Sequence, residues 1–172
     1  MLATQYLISL GHRRIAVITG PTNSQSSQAR LSGYMAALQK NGISADPHLI
    51  KVGDYVSDKA YKAACDLLEM REQDRPTAIF AFNDLGAINV YRAARQHGIS
   101  LPEQLSIIGF DDSAYADTVN LTTMRQDPFA MGRAAARKAV KLIAGETLEN
   151  PYEVVRAQLV LRGTDSVYGG DR

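Results

Sequence analysis

Short, almost wholly apolar runs alternate along the chain with longer segments of helical periodicity. Four such runs predict strands: "RRIAVITGP", "HLIKVGD", "TAIFAFN" and "SIIGFDD". Strands that are apolar at nearly every position are typical of a parallel sheet whose two faces are both buried. The pattern therefore predicts an α/β fold, with a parallel sheet flanked by helices on both faces.

The segments before, between and after these runs predict five helices. The first is short, from Leu2 to Leu10, and the second is "QARLSGYMAALQKNG", which follows the serine-rich loop "TNSQSS". The other three are "SDKAYKAACDLLEMRE", capped by Ser57, "LGAINVYRAARQHG", capped by Asn83 or Asp84, and "FAMGRAAARKAVKLIAG", opened by Pro128. "SAYADTVNLTTMRQD" has no regular pattern, "YEVVRAQLVLRG" predicts an extended segment, and "TDSVYGGDR" predicts a frayed or appended end. Because the first helix has no strand before it, we expect residues to be missing upstream; a native N-terminal helix is the alternative.

Composition narrows the class of protein. The 172 residues fit one domain or one large piece of a longer protein. The net charge of +1 does not provide the positive electrostatic potential that binding to a nucleic-acid backbone needs. The single cysteine, Cys65, excludes an internal disulfide. No apolar run approaches the roughly 20 residues of a membrane helix, and the first residues lack a signal-peptide pattern because their charges follow the apolar part. We expect a cytoplasmic protein that does not enter a membrane.

Polar residues follow each predicted strand, although the strands themselves are apolar. In open α/β sheets, ligands bind outside the carboxyl ends of the strands. We expect that edge to carry these residues: Gly20-Pro21, Gly53-Asp54-Tyr55, Asn83-Asp84, Asp111-Asp112 and Gln126-Asp127. Arg30 joins them, because a cation in the first turns of a helix opposes the helix dipole unless it serves a partner.

Each of these residues has a plainer interpretation. Asn83 or Asp84 could only cap a helix, and Asp112 could be a turn or cap residue. Tyr55 could be a half-buried aromatic and Arg30 a solvated cation. The convergence at one edge favours a binding site more than any single residue does.

Several kinds of chemistry have no motif in this sequence. The chain has no G-x-G-x-x-G after a strand, no phosphate-binding P-loop and no G-x-S-x-G elbow. His12, His48 and His97 are too scattered for a metal site; His12 and His97 are interpreted as serving helix ends, and Cys65 as core. We therefore expect neither metal nor cofactor, and catalysis is the minority hypothesis.

Four segments resemble one known family in their order along the chain. They are "YLISLGHRRIAVITGP", "QARLSGYMAAL", "RPTAIFAFNDLGAINVYRAARQHGISLPEQLSIIGFDD" and "LTTMRQDPFAMGRAAARKAVKLI". They resemble the effector-binding region of the LacI/GalR-type bacterial transcriptional regulators, the family of the lactose and purine repressors. The resemblance implies a two-lobed, periplasmic-binding-protein-like type I fold that holds its effector between the lobes.

That resemblance also implies how the chain is divided. Residues 1–126 match the C-terminal lobe, 127–150 a helix that returns to the N-terminal lobe, 151–163 a crossover strand, and 164–172 a tail. The DNA-reading region and most of the N-terminal lobe have no counterpart here, so the resemblance implies a truncated fragment that contacts DNA only through an absent region. A periplasmic-type sugar-binding protein of a transport system is the alternative.

Individual site residues are carried over from the same resemblance. The effector-binding positions that it implies are Arg30, Asn83, Asp111, Tyr55, Gln126 and Ser26, and the dimer-interface positions are Ile88, Tyr115 and Val119. Charged and amide groups of this kind suit a neutral polyol, so we expect a sugar effector. The apolar residues of the last helix would lack their usual partner lobe, which together with the implied interface predicts a homodimer or higher oligomer.

Overall fold

Six strands form one sheet in the structure, a computed structural model that describes residues 1–169. The strands are β1 Ile15–Thr19, β2 Ile50–Val52, β3 Ala78–Ala81, β4 Ser106–Asp111, β5 Thr123–Arg125 and β6 Gln158–Val160. Their order is β2-β1-β3-β4-β5-β6, and all neighbours pair in parallel except β5 with β6. The predicted α/β fold is confirmed, with the correction that the edge strand β6 is antiparallel.

Helices cover both faces of this sheet, which explains why the central strands β1 and β3 are almost wholly apolar. The helices are α1 Leu2–Ser9, α2 Gln25–Lys40, α3 Ser57–Leu68, α4 Asp84–Gln96, α5 Ala114–Thr118 and α6 Pro128–Ile143. Alternate strand residues point to opposite faces: Phe80 packs with α1 and α2, and Ile79 packs with α3 and α4. All four residues of β3 are buried, so the central strand has no exposed face.

The structure tests the helix caps predicted from sequence. Asn83 caps α4 by accepting from Gly86 N at 2.9 Å, which settles the choice between Asn83 and Asp84. The predicted Ser57 cap is wrong: α3 begins after Val56 without a side-chain cap, and the Ser57 hydroxyl donates instead to Asn89 Oδ1. The chain between β4 and α6, which showed no regular pattern, contains α5 and β5; elements of five and three residues are too short to reveal a period.

Hydrogen bonds hold residues 164–168 against the fold, so the expectation of a frayed end is wrong for this stretch, although Val167 is exposed. Thr164 is 2% exposed, and its hydroxyl donates to Ile107 O at 2.8 Å and accepts from Thr122 N at 2.9 Å. The backbone amide of Tyr168 donates to Leu10 O. Gly170, Asp171 and Arg172, the end of the predicted tail, lie outside the described residues.

The expectation that His12 serves the end of α1 holds for its backbone amide, which donates to Leu7 O, but not for its side chain. Its ring is buried and lies 2.9 Å from Thr77 Oγ1 through Nδ1, and 3.0 Å from Ser106 Oγ through Nε2. The Nε2 atom also lies 3.1 Å from Ser166 O. The imidazole therefore ties the C-terminal segment to the amino ends of two neighbouring strands.

Candidate functional site

Side chains from three distant parts of the chain meet where the strands end. The Arg30 Nη1 atom donates to the Tyr55 hydroxyl at 3.0 Å. The guanidinium carbon lies 3.7 Å from the centroid of the Phe110 ring, which is a cation–π distance. Gly20, directly after β1, leaves room for the Tyr55 ring, since a Cβ at that position would overlap it. The structure thus brings Arg30 and Tyr55 together beside the last residues of β4.

Asp111 occupies the carboxyl end of β4 in a half-buried position. Gln126 Nε2 donates to its Oδ1 at 2.7 Å. Burial raises the pKa of Asp111, and the negative charge of Asp84 raises it further, against the opposing effects of the Gln126 hydrogen bond and the Arg30 charge. A carboxylate held this way has acceptor capacity left for a ligand hydroxyl.

Arg30 offers complementary donors. Its side chain is half-buried, and no salt bridge to it occurs among residues 1–169. A guanidinium has five N–H donors, of which the described contacts use one. Arg30 and Asp111 therefore present donors and acceptors at the same edge of the sheet.

The backbone is strained at two turns that carry these residues. Asp54 and Tyr55 have φ of 54° and 60°, and Asp111 and Asp112 have φ of 124° and 59°. Residues other than glycine seldom adopt this region, at a cost of about 1–3 kcal/mol each, and such outliers concentrate at functional sites. Neither turn contains a glycine at the strained position, so the surrounding contacts must hold both conformations.

Asp112 anchors the second turn through two arginines. It accepts from Arg162 Nη2 at 2.7 Å and also from Arg125 Nε. Burial raises the pKa of Asp112, but the hydrogen bonds and charges of the two arginines outweigh it, so the net pKa is lowered. The interpretation of Asp112 as a turn residue is confirmed.

Asn83 and Ser26 are less closely tied to the cluster. Asn83 lies at the same edge because β3 is between β1 and β4, and its side-chain oxygen is used by the cap of α4. Ser26 lies in the first turn of α2 rather than in a loop, and its Oγ is 3.4 Å from the Tyr55 hydroxyl. Both remain within the candidate site by position.

A cleft of about 540 Å³ adjoins Asp111 and Gln126, in the size range of small-ligand pockets. It is open on one side and runs from the ends of β4 and β5 to the start of α6. Phe129 and Arg156 also line it, whereas Arg30 and Tyr55 do not. The cleft therefore combines polar groups from the ends of β4 and β5 with an exposed aromatic ring from α6.

Of the three predicted interface residues, Ile88 lies on α4, Tyr115 lies on α5, and Val119 follows the last residue of α5. Tyr115 is 69% exposed, whereas Ile88 is half-buried and Val119 packs against the core. Their role in assembly stays a prediction.

Sequence reasoning missed two parts of the site. Phe110 was treated only as a strand residue, although an aromatic directly before the polar edge was a usable signal. The hydrogen bond from Arg162 to Asp112 joins residues that are 50 positions apart, so no local sequence pattern predicts it.

Two further features bear on the class of protein. Among residues 1–169, no three His, Cys, Asp or Glu side chains lie close enough together to hold a metal ion. Cys65 is half-buried against the core, and His97 Nδ1 contacts Ala93 O at the end of α4, as interpreted from sequence. None of the described helices has the length and apolar character needed to cross a membrane.

Comparison with known proteins gives consistent matches. Residues 4–164 match the model of the periplasmic binding protein-like domain. The HTH-type transcriptional regulator CelR of Thermobifida fusca is 38% identical over 162 residues, which are 93% of this chain and 47% of that protein. The chain thus spans about half the length of the curated relatives it matches.

Solved structures agree with these matches. A LacI-family regulatory protein from Chloroflexus aggregans superposes with a TM-score of 0.90 at 31% identity, covering 96% of this chain and 59% of that one. The CelR–cellobiose complex superposes with a TM-score of 0.87 at 37% identity, covering 94% of this chain and 49% of that one.

Proposed function

The chain belongs to the periplasmic binding protein-like domain family, in the form found in LacI-type transcriptional regulators, and we propose that it is the effector-sensing part of such a regulator. The observation that carries this proposal is the meeting of Arg30, Tyr55, Asp111 and Gln126 at the carboxyl edge of the sheet. A DNA-reading region would belong to the part of such proteins that this chain does not span. A regulator of this kind acts in the cytoplasm and without covalent chemistry.

We propose a sugar as the effector. Asp111 can accept from two hydroxyl groups, and the Arg30 fork can donate to others, with each charge-assisted bond worth about 1.5–3 kcal/mol. Tyr55 and Phe110 add aromatic surface against which the apolar face of a pyranose ring can pack. The cellobiose complex of a relative supports a saccharide over a purine.

Asn83 and Ser26 complete the proposed contact set. Asn83 retains a side-chain amide for donation, because its cap uses the oxygen. Ser26 lies next to Tyr55 at the outer side of the cluster. We expect these two residues to contact the effector more weakly than Arg30 and Asp111 do.

We propose that the second wall of the pocket comes from another lobe, to which α6 would belong. The side chains of Phe129 and Ile143 are 77% and 86% exposed, and the only buried residue of α6 is Ala134. Effector held between two lobes would favour one of their relative settings, and a coupling of about 1–3 kcal/mol suffices to change DNA affinity. Residues 1–126 would then form one lobe, 127–150 part of the other, and 151–163 the crossover.

A homodimer would form through α4, α5 and the residue after α5, which together provide Ile88, Tyr115 and Val119. The exposed ring of Tyr115 is the largest apolar group there, which supports this surface. The transport alternative, a periplasmic-type sugar-binding protein, is not favoured, because the matched relatives are transcriptional regulators.

Saturation-transfer NMR on the 172-residue chain tests the proposal with cellobiose, ribose and adenosine as probes. We expect a saccharide to bind weakly, with Kd of about 1 mM or above, because the chain carries one wall of the pocket. Asp111→Ala should abolish that signal. Asp58→Ala, which removes an exposed carboxylate from the first turn of α3, should leave it unchanged.

Two outcomes would count against the proposal. Equal saccharide signals in the two variants would remove Asp111 from the site. Tight, stoichiometric binding by this chain would contradict a pocket shared between two lobes.

A further inference from the structure

Asp84 is a buried carboxylate that the proposed binding chemistry does not use. It is 1% exposed and is the first residue of α4. Its Oδ2 accepts from Ser113 N at 2.6 Å, and its Oδ1 accepts from the Thr123 hydroxyl. Burying a carboxylate is costly unless hydrogen bonds and a favourable field offset the lost hydration. Two donors and the amino end of a helix supply both here.

The position of these bonds links three strands at the site. Asp84 follows β3, Ser113 follows β4, and Thr123 begins β5, where it is paired with Gly109. A Cβ at Gly109 would overlap Asp84 Oδ1, so the carboxylate fills the space that the glycine leaves open. The packing is specific to a carboxylate-sized side chain at this point.

The Asp111–Asp112 turn begins at the last residue of β4 and is followed directly by the Ser113 amide that Asp84 holds. Both of its residues have positive φ, and no glycine relieves the strain. Arg162 and Arg125 hold the Asp112 side chain, and Gln126 holds the Asp111 side chain. The bond to Ser113 N is the contact that fixes the backbone on the far side of the turn.

We propose that Asp84 is a positioning residue, which fixes the strained turn so that Asp111 faces the site. It acts through Asp111 and not on the effector, because both of its oxygens are already engaged by Ser113 and Thr123. What Asp111 then binds rests on the proposed function; the positioning itself does not.

Two substitutions separate the shape of Asp84 from its charge. Asp84→Asn can keep both contacts, since its oxygen can accept from Ser113 N and its amide can donate to the Thr123 hydroxyl. Asp84→Asn does remove the negative charge of Asp84. Burial is the main reason why the pKa of Asp111 is raised, and this charge is the second. Asp84→Ala removes the contacts as well.

Hydrogen exchange and carbon-detected NMR on the full chain test the proposal. In Asp84→Ala, we expect the Ser113 amide to exchange about tenfold faster or more, because a hydrogen bond to a charged group is lost. In Asp84→Asn, protection of that amide should persist while the Asp111 carboxyl titrates at lower pH. Asp58→Ala, which removes an exposed carboxylate from the first turn of α3, should change neither readout.

A second perturbation covers the case in which Asp84→Ala does not fold. Gly109→Ala displaces the carboxylate by overlap and should give the same loss of Ser113 protection. Unchanged Ser113 exchange in whichever of the two variants folds, or an unchanged Asp111 titration in Asp84→Asn, would overturn the proposal. If these readouts change as expected but no saccharide binds the unmodified chain, the positioning role stands and the proposed sugar function fails.

Discussion

Replacing Arg162 by alanine should destabilise the fold by about 2–3 kcal/mol, because this side chain joins the segment after β6 to the turn beside Asp111. Its side chain is 15% exposed, and Nη2 contacts Asp112 Oδ1 and Asp117 Oδ1, each at 2.7 Å. Its Nη1 donates to Leu121 O at 2.9 Å. Arg162 therefore satisfies one nearly buried carboxylate, one exposed carboxylate and one backbone carbonyl.

The magnitude follows from the exposure of each partner. Asp112 is 9% exposed, so losing its bond to Arg162 removes about 1.5–3 kcal/mol. Asp117 is 74% exposed and contributes almost nothing after solvent screening. The freed Leu121 carbonyl adds about 1 kcal/mol, less whatever water recovers. The summed loss stays below the roughly 3–5 kcal/mol that breaking a fully buried ion pair costs, because Arg125 still contacts Asp112 in the variant.

Urea unfolding followed by circular dichroism measures this loss of free energy, and in thermal unfolding the melting temperature should fall by about 5–10 °C. Arg125→Ala is the matched control: it removes the other arginine from the same carboxylate, but that arginine is 51% exposed. We expect a loss of less than about 1 kcal/mol from it. Equal losses from the two variants, or none from Arg162→Ala, would refute the reasoning.

The pH dependence gives a second check. The pKa of Asp112 is lowered in the folded chain from its ordinary 3.8, so its contribution is fully present above pH 3.8 and is lost as pH falls through the lowered pKa. The difference between the original chain and Arg162→Ala should therefore be constant from pH 7 to about 4 and shrink only in stronger acid. A difference that shrinks near neutral pH would implicate another group.

Three further predictions concern the core, the site and the surface. Burial lowers the pKa of His12 below its ordinary 6.5, so the unfolded chain binds a proton that the folded chain does not, and stability should fall as the pH drops below 6.5. In urea titrations at pH 5–7, His12→Gln should reduce this loss of stability. An unchanged loss would exclude His12 as its cause. Gly20→Ala should displace the Tyr55 ring, shifting its aromatic NMR signals and weakening any saccharide response; unchanged signals would contradict the close packing. Replacing both Phe129 and Ile143 by glutamate should change the free energy of unfolding by no more than about 0.5 kcal/mol, because both side chains are exposed. The same double substitution should reduce self-association measured by light scattering. If the original chain is already a monomer, the predicted oligomer is refuted.

Sequence reasoning reached the fold because buried parallel strands have a local signature. Both faces of β3 are covered, so every residue from Ala78 to Ala81 had to be apolar, and that run is visible without coordinates. The predicted parallel strands then indicated where a site could lie, because the carboxyl ends of parallel strands share one edge of the sheet. The edge strand β6 was read as extended, but its antiparallel direction depends on the path of the chain after α6.

By itself, the sequence determined the layered α/β architecture and the edge at which polar groups collect, since both follow from residue spacing along single elements. Only the tertiary structure decided that Asp84 holds Ser113, that Arg162 holds Asp112, and that His12 ties the C-terminal segment to two strands. The physical reason is that a buried polar group is stable wherever a partner satisfies it, and that partner can be any residue the fold brings near. Apolar burial leaves a periodic trace along the chain, whereas the pairing of buried polar groups leaves none.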